Sequence, residues 1–383
     1  MNEPMIEDST RRLYGQRVDR ALVAHVEAGT FPQALWQEVV GAGFDAVLLP
    51  EAAGGIDGDW TDAWPILHGL GRYGVPLPLA ETMIGALLLA GAGLAVPPGP
   101  IAVIEAVTDG TIAAQDGAGG SRLSGRAVRV AWARHARWAL VSLAHARVAL
   151  VDLGDRASAG VSPHTDVAGL PSDTVELDRA PALVIAPTPL PSLALPVRTL
   201  GAVARSVMIV GALQSALDQS VRYANDRVQF GKPIGRNQAI QQQLALLAGE
   251  LESARAAARA ACEDAPTATR RIAPSAGFGA AVAKICCGEA ATRAAAIAHQ
   301  VHGAIGFTAE HPLNLATRRL WAWRADFGSD AWWSERLGRE AIAASGSAFW
   351  PALTARRFEP PRTGAAPGPD ASAGADLQAD GEH

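Results

Sequence analysis

The chain has 383 residues, 49% of them apolar, and its 33 basic and 38 acidic side chains leave a net charge of -5. That length suggests about two or three compact units with sizeable cores, and the mixed charge leaves no basic face for nucleic acid. Three cysteines, Cys262 and the adjacent pair Cys286 and Cys287, make neither a disulfide framework nor a zinc spacing and point to a reducing cytoplasm.

The N-terminal MNEPMIEDSTRR mixes charges and lacks the apolar core of a signal peptide. Up to about residue 100 the pattern is helical. LWQEVVGAGFDAVLLPEAAGG begins as an amphipathic helix and runs into a Pro/Gly loop. AWPILHGLGRYGVPLPLAETMIGALLLAGAG reads as two helices punctuated by Pro76 and Pro78. The most apolar run, MIGALLLAGAGLAV (83–96), is too short and glycine-rich to span a bilayer and reads as a buried helix. A soluble protein with no membrane partner is therefore expected.

From about residue 101 the texture changes. IAVIEAV, RAVRVAWA, RWALVSLA and RVALVDL are short runs rich in Val, Ile and Leu, separated by Gly, Asp and Ser. They predict a small β domain over 101–197. DGAGGSRLSG (116–125) has the glycines of a phosphate loop, but no periodic helix follows it, so a hairpin turn is expected.

From residue 199 the chain is helical again, with candidate helices over 201–225, 237–262, 275–302 and 312–323. The second carries Ile240, Leu244, Leu247, Leu251 and Ala254 on one stripe, with Asn237 placed to cap it. Long helices with short connections predict a bundle over 198–358. The tail 359–383 is rich in Pro, Gly, Ala and Asp and reads as disordered.

One connection is unusually rich in chemistry: DRVQFGKPIG, 226–235. Arg227 supplies a planar fork suited to a diphosphate, and Gln229 and Gln238 offer amide donors and acceptors. Gly231 permits close backbone approach, and Pro233 stiffens the exit. Two helices later, QVHGAIGFTAEHPL joins a Gln, closely spaced glycines, a Phe and an acidic-His-Pro exit.

With RYANDRVQFGKPIGRNQAIQQQLA and the upstream PEAAGG, these motifs resemble the acyl-CoA dehydrogenase family over about residues 30–345. The resemblance implies an α+β multidomain fold: an N-terminal helical domain, a middle β barrel and a C-terminal four-helix bundle that binds FAD. It implies oxidation of an acyl-CoA thioester to the 2-enoyl-CoA, a carboxylate removing the α proton while the β hydrogen passes to the flavin. Electron-transfer flavoprotein or a similar acceptor is the implied redox partner.

In that family the Arg-x-x-Phe-Gly and Gln-x-x-Gly loops reach a neighbouring subunit's FAD. By motif position the implied residues are Arg227, Gln229, Phe230, Gln238, Gln300 and Gly303. Gln229 stands where many members carry Thr or Ser, and Ala304 where many carry a second Gly. The other half of the site is not matched. No Thr-Glu-Pro-Gly-like segment lies in 101–197; VTDGTIAA lacks the Pro and the following Gly-Ser. The family's base position holds Phe327, and the alternative position on the first bundle helix, just before Arg205, holds Ala204. Neither side chain accepts a proton.

The asymmetry implies a heteromer in which this chain completes the FAD site of a homologous catalytic subunit, as in bacterial steroid side-chain dehydrogenases of α2β2 type. The run RRLWAWRADFGSDAWWSERLG resembles that branch. Two alternatives stay open: a homotetramer with Asp326 or Asp330 as displaced base, and a non-catalytic CoA-ester or partner-binding protein. Glu250 and Glu252 read as solvated, His302 and His311 as loop-positioning rather than metal ligands. Trp321, Trp323, Trp332 and Trp333 read as core or interface packing. Arg205 reads as a ligand for a CoA phosphate or carbonyl, or as a surface ion pair.

Overall fold

A computed structural model describes residues 3–118, 120–270 and 275–343, with 350, 351, 354 and 355. The tail 359–383, expected to be disordered, lies outside the described residues. The first part is helical: α1 (Glu3–Arg17), α2 (Arg20–Glu27), α3 (Gln33–Gly41), α4 (Trp60–Arg72) and α5 (Leu79–Gly91). Asp59 starts α4 with a capping box: its carboxylate accepts from the N3 N–H while Asp62 accepts from the Asp59 N–H. The apolar run 83–96 is a buried helix through its first part, where Ile84, Leu87, Leu88 and Leu89 have no exposure, but the helix ends at Gly91, and Gly93 and Ala95 beyond it are exposed.

The middle part holds β1 (Ile101–Glu105), the short α6 (Ala106–Asp109), β2 (Ala113–Gln115), β3 (Arg122–Ala131), β4 (Trp138–Leu143), β5 (Arg147–Asp152), β6 (Ala159–Ser162) and β7 (Ser172–Pro187). The sheet order is β1-β4-β5-β7-β3-β2, with β6 also paired to β7. β1 runs parallel to β4, and the other pairs are antiparallel. The expected hairpin turn joins β2 to β3, Gln115 pairing with Arg122. β7 is long enough to pair with β3 and β6 through its first part and with β5 through its last, curling the sheet.

The apolar runs in β4 and β5 lack alternation because both faces are covered. Leu140 and Leu150 face the helices, whereas Ala139, Val141, Ala149 and Val151 face a second core inside the curled sheet.

The last part comprises α7 (Pro196–Asp226), α8 (Gln238–Asp264), α9 (Ala276–His302), α10 (Leu313–Ala325) and α11 (Asp330–Ala343). Between α7 and α8 a tiny hairpin pairs β8 (Val228–Gln229) with β9 (Lys232–Pro233). α7 has 31 residues and is long and apolar enough to cross a membrane by length and composition. In the fold 83% of its most apolar window is buried, and it serves as the central rod of the bundle.

Two glycines let α4 meet α7 backbone to backbone. A Cβ on Gly71 would come within 1.9 Å of the Met208 carbonyl, and one on Gly211 within 2.0 Å of the His68 carbonyl. The start of α7 is pinned to the sheet by Glu105, whose carboxylate accepts from the N–H groups of Val197 (3.0 Å) and Arg198 (3.3 Å).

Candidate functional site

The helices and the sheet enclose a cavity of about 450 Å³. Its walls include Val75 and Leu77 after α4, Arg129 and Trp132 at the end of β3, the 164–172 loop, Arg198 and Arg205 on α7, and 321–328 at the end of α10. A β-bulge between Ala127 and Val130 turns Arg129 to the cavity, at φ +58°.

Every carboxylate lining this space is already engaged. Asp109 lies 2.6 Å from Arg198, and Asp166 accepts from the N–H groups of Ala168 (2.8 Å) and Leu170 (2.9 Å). Asp326 lies 3.0 Å from Arg205 Nε, and the same guanidinium pairs with Glu81 on its other side. Arg205 is therefore a buried ion-pair centre rather than a surface one.

Phe327 sits at φ +52°, its carbonyl accepting from Trp333 Nε1 at 3.0 Å. Its ring lies flat against α7 at Gly201, where a Cβ would come within 2.2 Å of it. Ala204, one turn on, is buried and does not line the cavity. Asp330 is turned away and forms two bonds to Arg324, at 2.9 and 3.0 Å. An imidazole that sequence reading passed over, His164, stands exposed at the rim.

The second assembly of predicted residues is on the outside, at the far end of α7. Ile234 N–H donates to the Arg227 carbonyl at 2.9 Å, which closes the 227–234 loop. Val228 pairs with Pro233 and Gln229 with Lys232, so Phe230 and Gly231 are the two turn residues. Both have positive φ, +50° and +78°, as a tight two-residue hairpin requires. Phe230 is 100% exposed at the tip. Gln238 is exposed in the first turn of α8, behind Asn237, whose side chain accepts from Ala239 N–H.

Gln300 is exposed in the last turn of α9, and Gly303 ends that helix at φ +65°, ψ -147°. His302 joins the two loops: its ring stacks on Tyr223 of α7 at 4.6 Å and meets His311 edge-on at 4.7 Å. His299, Gln300, Gly303, Ala304, Phe307 and Trp321 line an open hollow of about 540 Å³ beside them. Phe307 (66%) and Trp321 (44%) are exposed, whereas Trp323 and Trp333 are buried. Among the described residues no His/Cys/Asp/Glu group is arranged to hold a metal.

Two family models match: the acyl-CoA dehydrogenase N-terminal domain over residues 2–94 and the C-terminal domain over 199–341. The chain belongs to the acyl-CoA dehydrogenase family. Like the family, it is an FAD-dependent acyl-CoA oxidoreductase chain. Acyl-CoA dehydrogenase IpdE2 of Mycobacterium tuberculosis is 29% identical over 324 residues, 82% of this chain and 89% of that relative. The ChsE4-ChsE5 complex from M. tuberculosis contains a chain of the same fold, with a TM-score of 0.77 and 22% identity over 90% of this chain and 97% of that one. The Tcur3481-Tcur3483 steroid ACAD variant gives 0.73 and 26%, over 90% and 99%.

The outer residues of this acyl-CoA dehydrogenase chain fit part of an FAD. A free fork at Arg227, three exposed amides and two glycine-dependent backbone turns suit a diphosphate and its flanking sugar. When bound, FAD supplies the electron acceptor for α,β-oxidation. The three carboxylates on the cavity wall, Asp109, Asp166 and Asp326, are all hydrogen-bonded or ion-paired, and the Phe327 ring packs against Gly201.

Proposed function

We propose that this chain is the base-lacking subunit of a heteromeric acyl-CoA dehydrogenase, which lends Arg227, Gln229, Phe230, Gln238, Gln300 and Gly303 to the FAD of a homologous catalytic partner. The observation that carries the reading is Phe327 packed on Gly201 while the outward-reaching set stays exposed. The fully exposed Phe230 ring, and the exposed Phe307 and Trp321 at the hollow after α9, are surface that a partner subunit would cover. The ChsE4-ChsE5 complex joins two differently named chains, which supports the same arrangement here. A steroid-sized acyl group is the substrate we assign to the assembly, on the likeness to the steroid ACAD. Electron-transfer flavoprotein is the acceptor we assign. All three cysteines are free, which suits the cytoplasm.

The chain should be purified alone and with a homologue that carries an intact carboxylate, then assayed for flavin content and acyl-CoA-dependent dye reduction. We expect flavin and turnover only in the pair, and loss of both when Arg227→Ala is introduced into this chain. Full turnover by the lone chain defeats the reading. It would favour a homotetramer using Asp326, whose place on the cavity wall is the one observation in favour of that alternative.

A further inference from the structure

The hairpin end of α7 carries more positive charge than a diphosphate calls for. Between residues 219 and 249 stand four bases, Arg222, Arg227, Lys232 and Arg236, against one acid, Asp226, so this stretch is +3 in a chain whose net charge is -5. All five side chains are exposed. Among the described residues none of the four bases has an ion-pair partner. Exposed arginines elsewhere in the fold do: Arg72 lies 3.0 Å from Asp218, Arg126 3.2 Å from Glu176 and Arg293 2.9 Å from Glu250. Asp218 precedes Arg222 by one turn of α7, yet it is turned to Arg72 on α4.

The charges are held at fixed places. Lys232 lies in β9 opposite Gln229, and Arg236 ends the single 3-10 turn Ile234–Arg236 that leads into α8. Like charges gathered at one end of a molecule repel each other until an opposite charge meets them. One guanidinium fork matches a diphosphate, which leaves Arg222, Lys232 and Arg236 in surplus. A second copy of this chain does not supply the missing acid. In a self-pair the hairpin would face this chain's own cavity, whose rim carries Arg129 and His164, both exposed, with Arg129 likewise unpaired among the described residues. The carboxylates on that wall are engaged by Arg198, Arg205 and backbone N–H groups.

We propose that Arg222, Lys232 and Arg236 form a partner-selecting surface, one that fits an acidic rim around the cofactor site of a homologous catalytic subunit and is repelled by a second copy of this chain. Opposite charge across the contact speeds the right encounter, and like charge suppresses the wrong one. The inference rests on reading the chain as half of a heteromer, and it adds the rule by which the halves choose each other.

The association rate of the full-length chain with the carboxylate-bearing homologue is measured by stopped flow at about 20 mM and about 500 mM NaCl. The native rate is expected to fall at least about 10-fold across that range, as salt screens the steering field. The double variant Lys232→Gln/Arg236→Gln should associate at least about 10-fold more slowly at low salt and lose most of the salt dependence. Flavin content of the assembled pair should stay unchanged, because Arg227 is intact. In the lone chain, Arg129→Glu should raise self-association at low salt above the native level, read by sedimentation. A native rate indifferent to salt, or a double variant as fast as native, overturns the charge rule and leaves the heteromer standing. No rise with Arg129→Glu overturns the repulsion between copies. No pair at either salt overturns the heteromer and this inference with it.

Discussion

Arg205 Nε stands 3.0 Å from Asp326 Oδ2, and this contact ties the central helix of the bundle to the loop that would carry a catalytic base. Glu81, buried at 1% exposure, pairs with the same guanidinium. Removing the fully buried partner leaves more charge uncompensated than removing the partly exposed one. Glu81→Gln is expected to cost about 3 kcal/mol and Asp326→Asn about 1 kcal/mol, read by denaturant melts. Asp326→Asn should leave turnover of the assembled enzyme within a few-fold of normal in a dye-reduction assay. A loss of a thousandfold would make Asp326 the proton acceptor.

Phe230 combines full exposure with a left-handed backbone, two features that a monomer gains nothing from. Phe230→Gly is expected to leave the melting free energy of the isolated chain unchanged or raised by up to about 1 kcal/mol, since glycine adopts positive φ without strain. The same change should weaken association with the partner at least about 10-fold, because an exposed aromatic at an interface behaves as an anchor. Sedimentation of the mixed subunits checks the second outcome. Undiminished association would remove Phe230 from the interface.

Burial pushes the Glu105 carboxyl up to about 7, although the Ser142 hydroxyl and the Arg198 N–H oppose the shift. The folded chain therefore holds a proton that the unfolded chain releases near pH 4.3. Its contribution is fully present below that pH and is lost as pH rises through about 7, a change of about 3 kcal/mol. His68, lowered to about 4 chiefly by burial, acts in the opposite sense: stability rises between about pH 4 and the ordinary imidazole range. The difference between native and Glu105→Gln melts isolates the first effect. Native stability relative to Glu105→Gln should fall by that amount from pH 4 to pH 8, and a flat difference would contradict the assignment.

At the α4–α7 crossing, Gly211→Ala would drive a methyl group to 2.0 Å from the His68 carbonyl, and backbone cannot step aside as a side chain does. The expected cost is about 3 kcal/mol, seen as a lower denaturation midpoint with an unchanged slope. A change below about 1 kcal/mol would mean that the two helices separate freely.

The bundle helices were legible from their helical pattern and four of the strands as short Val/Ile/Leu-rich runs bounded by Gly, Asp and Ser, and Asn237 marks the start of α8 as a cap should. β7 was not: SDTVELDRAPALVIAP spreads polar residues and a proline over one strand that serves two halves of the sheet. α11 was not set out as a helix of its own, although its sequence is amphipathic at the helical period. The outer loops could be read from residue type alone, since an Arg, three Gln and paired glycines are a rare combination. The cavity could not. Gly201 under Phe327 and the Arg205 ion pairs are meetings between segments far apart in the chain, and a single sequence carries no sign of them.

α7 begins at the Glu105 cap, passes the cavity at Arg198 and Arg205, and ends at Arg227. Thirty-one residues make an unbroken helix about 46 Å long. Such a rod has no internal hinge: a tilt of about one degree at one end displaces the other by nearly 1 Å, a lever arm fixed by the 1.5 Å rise per residue. Whatever fills the chamber between sheet and bundle thereby shares one rigid helix with the fingertip loop at the opposite pole.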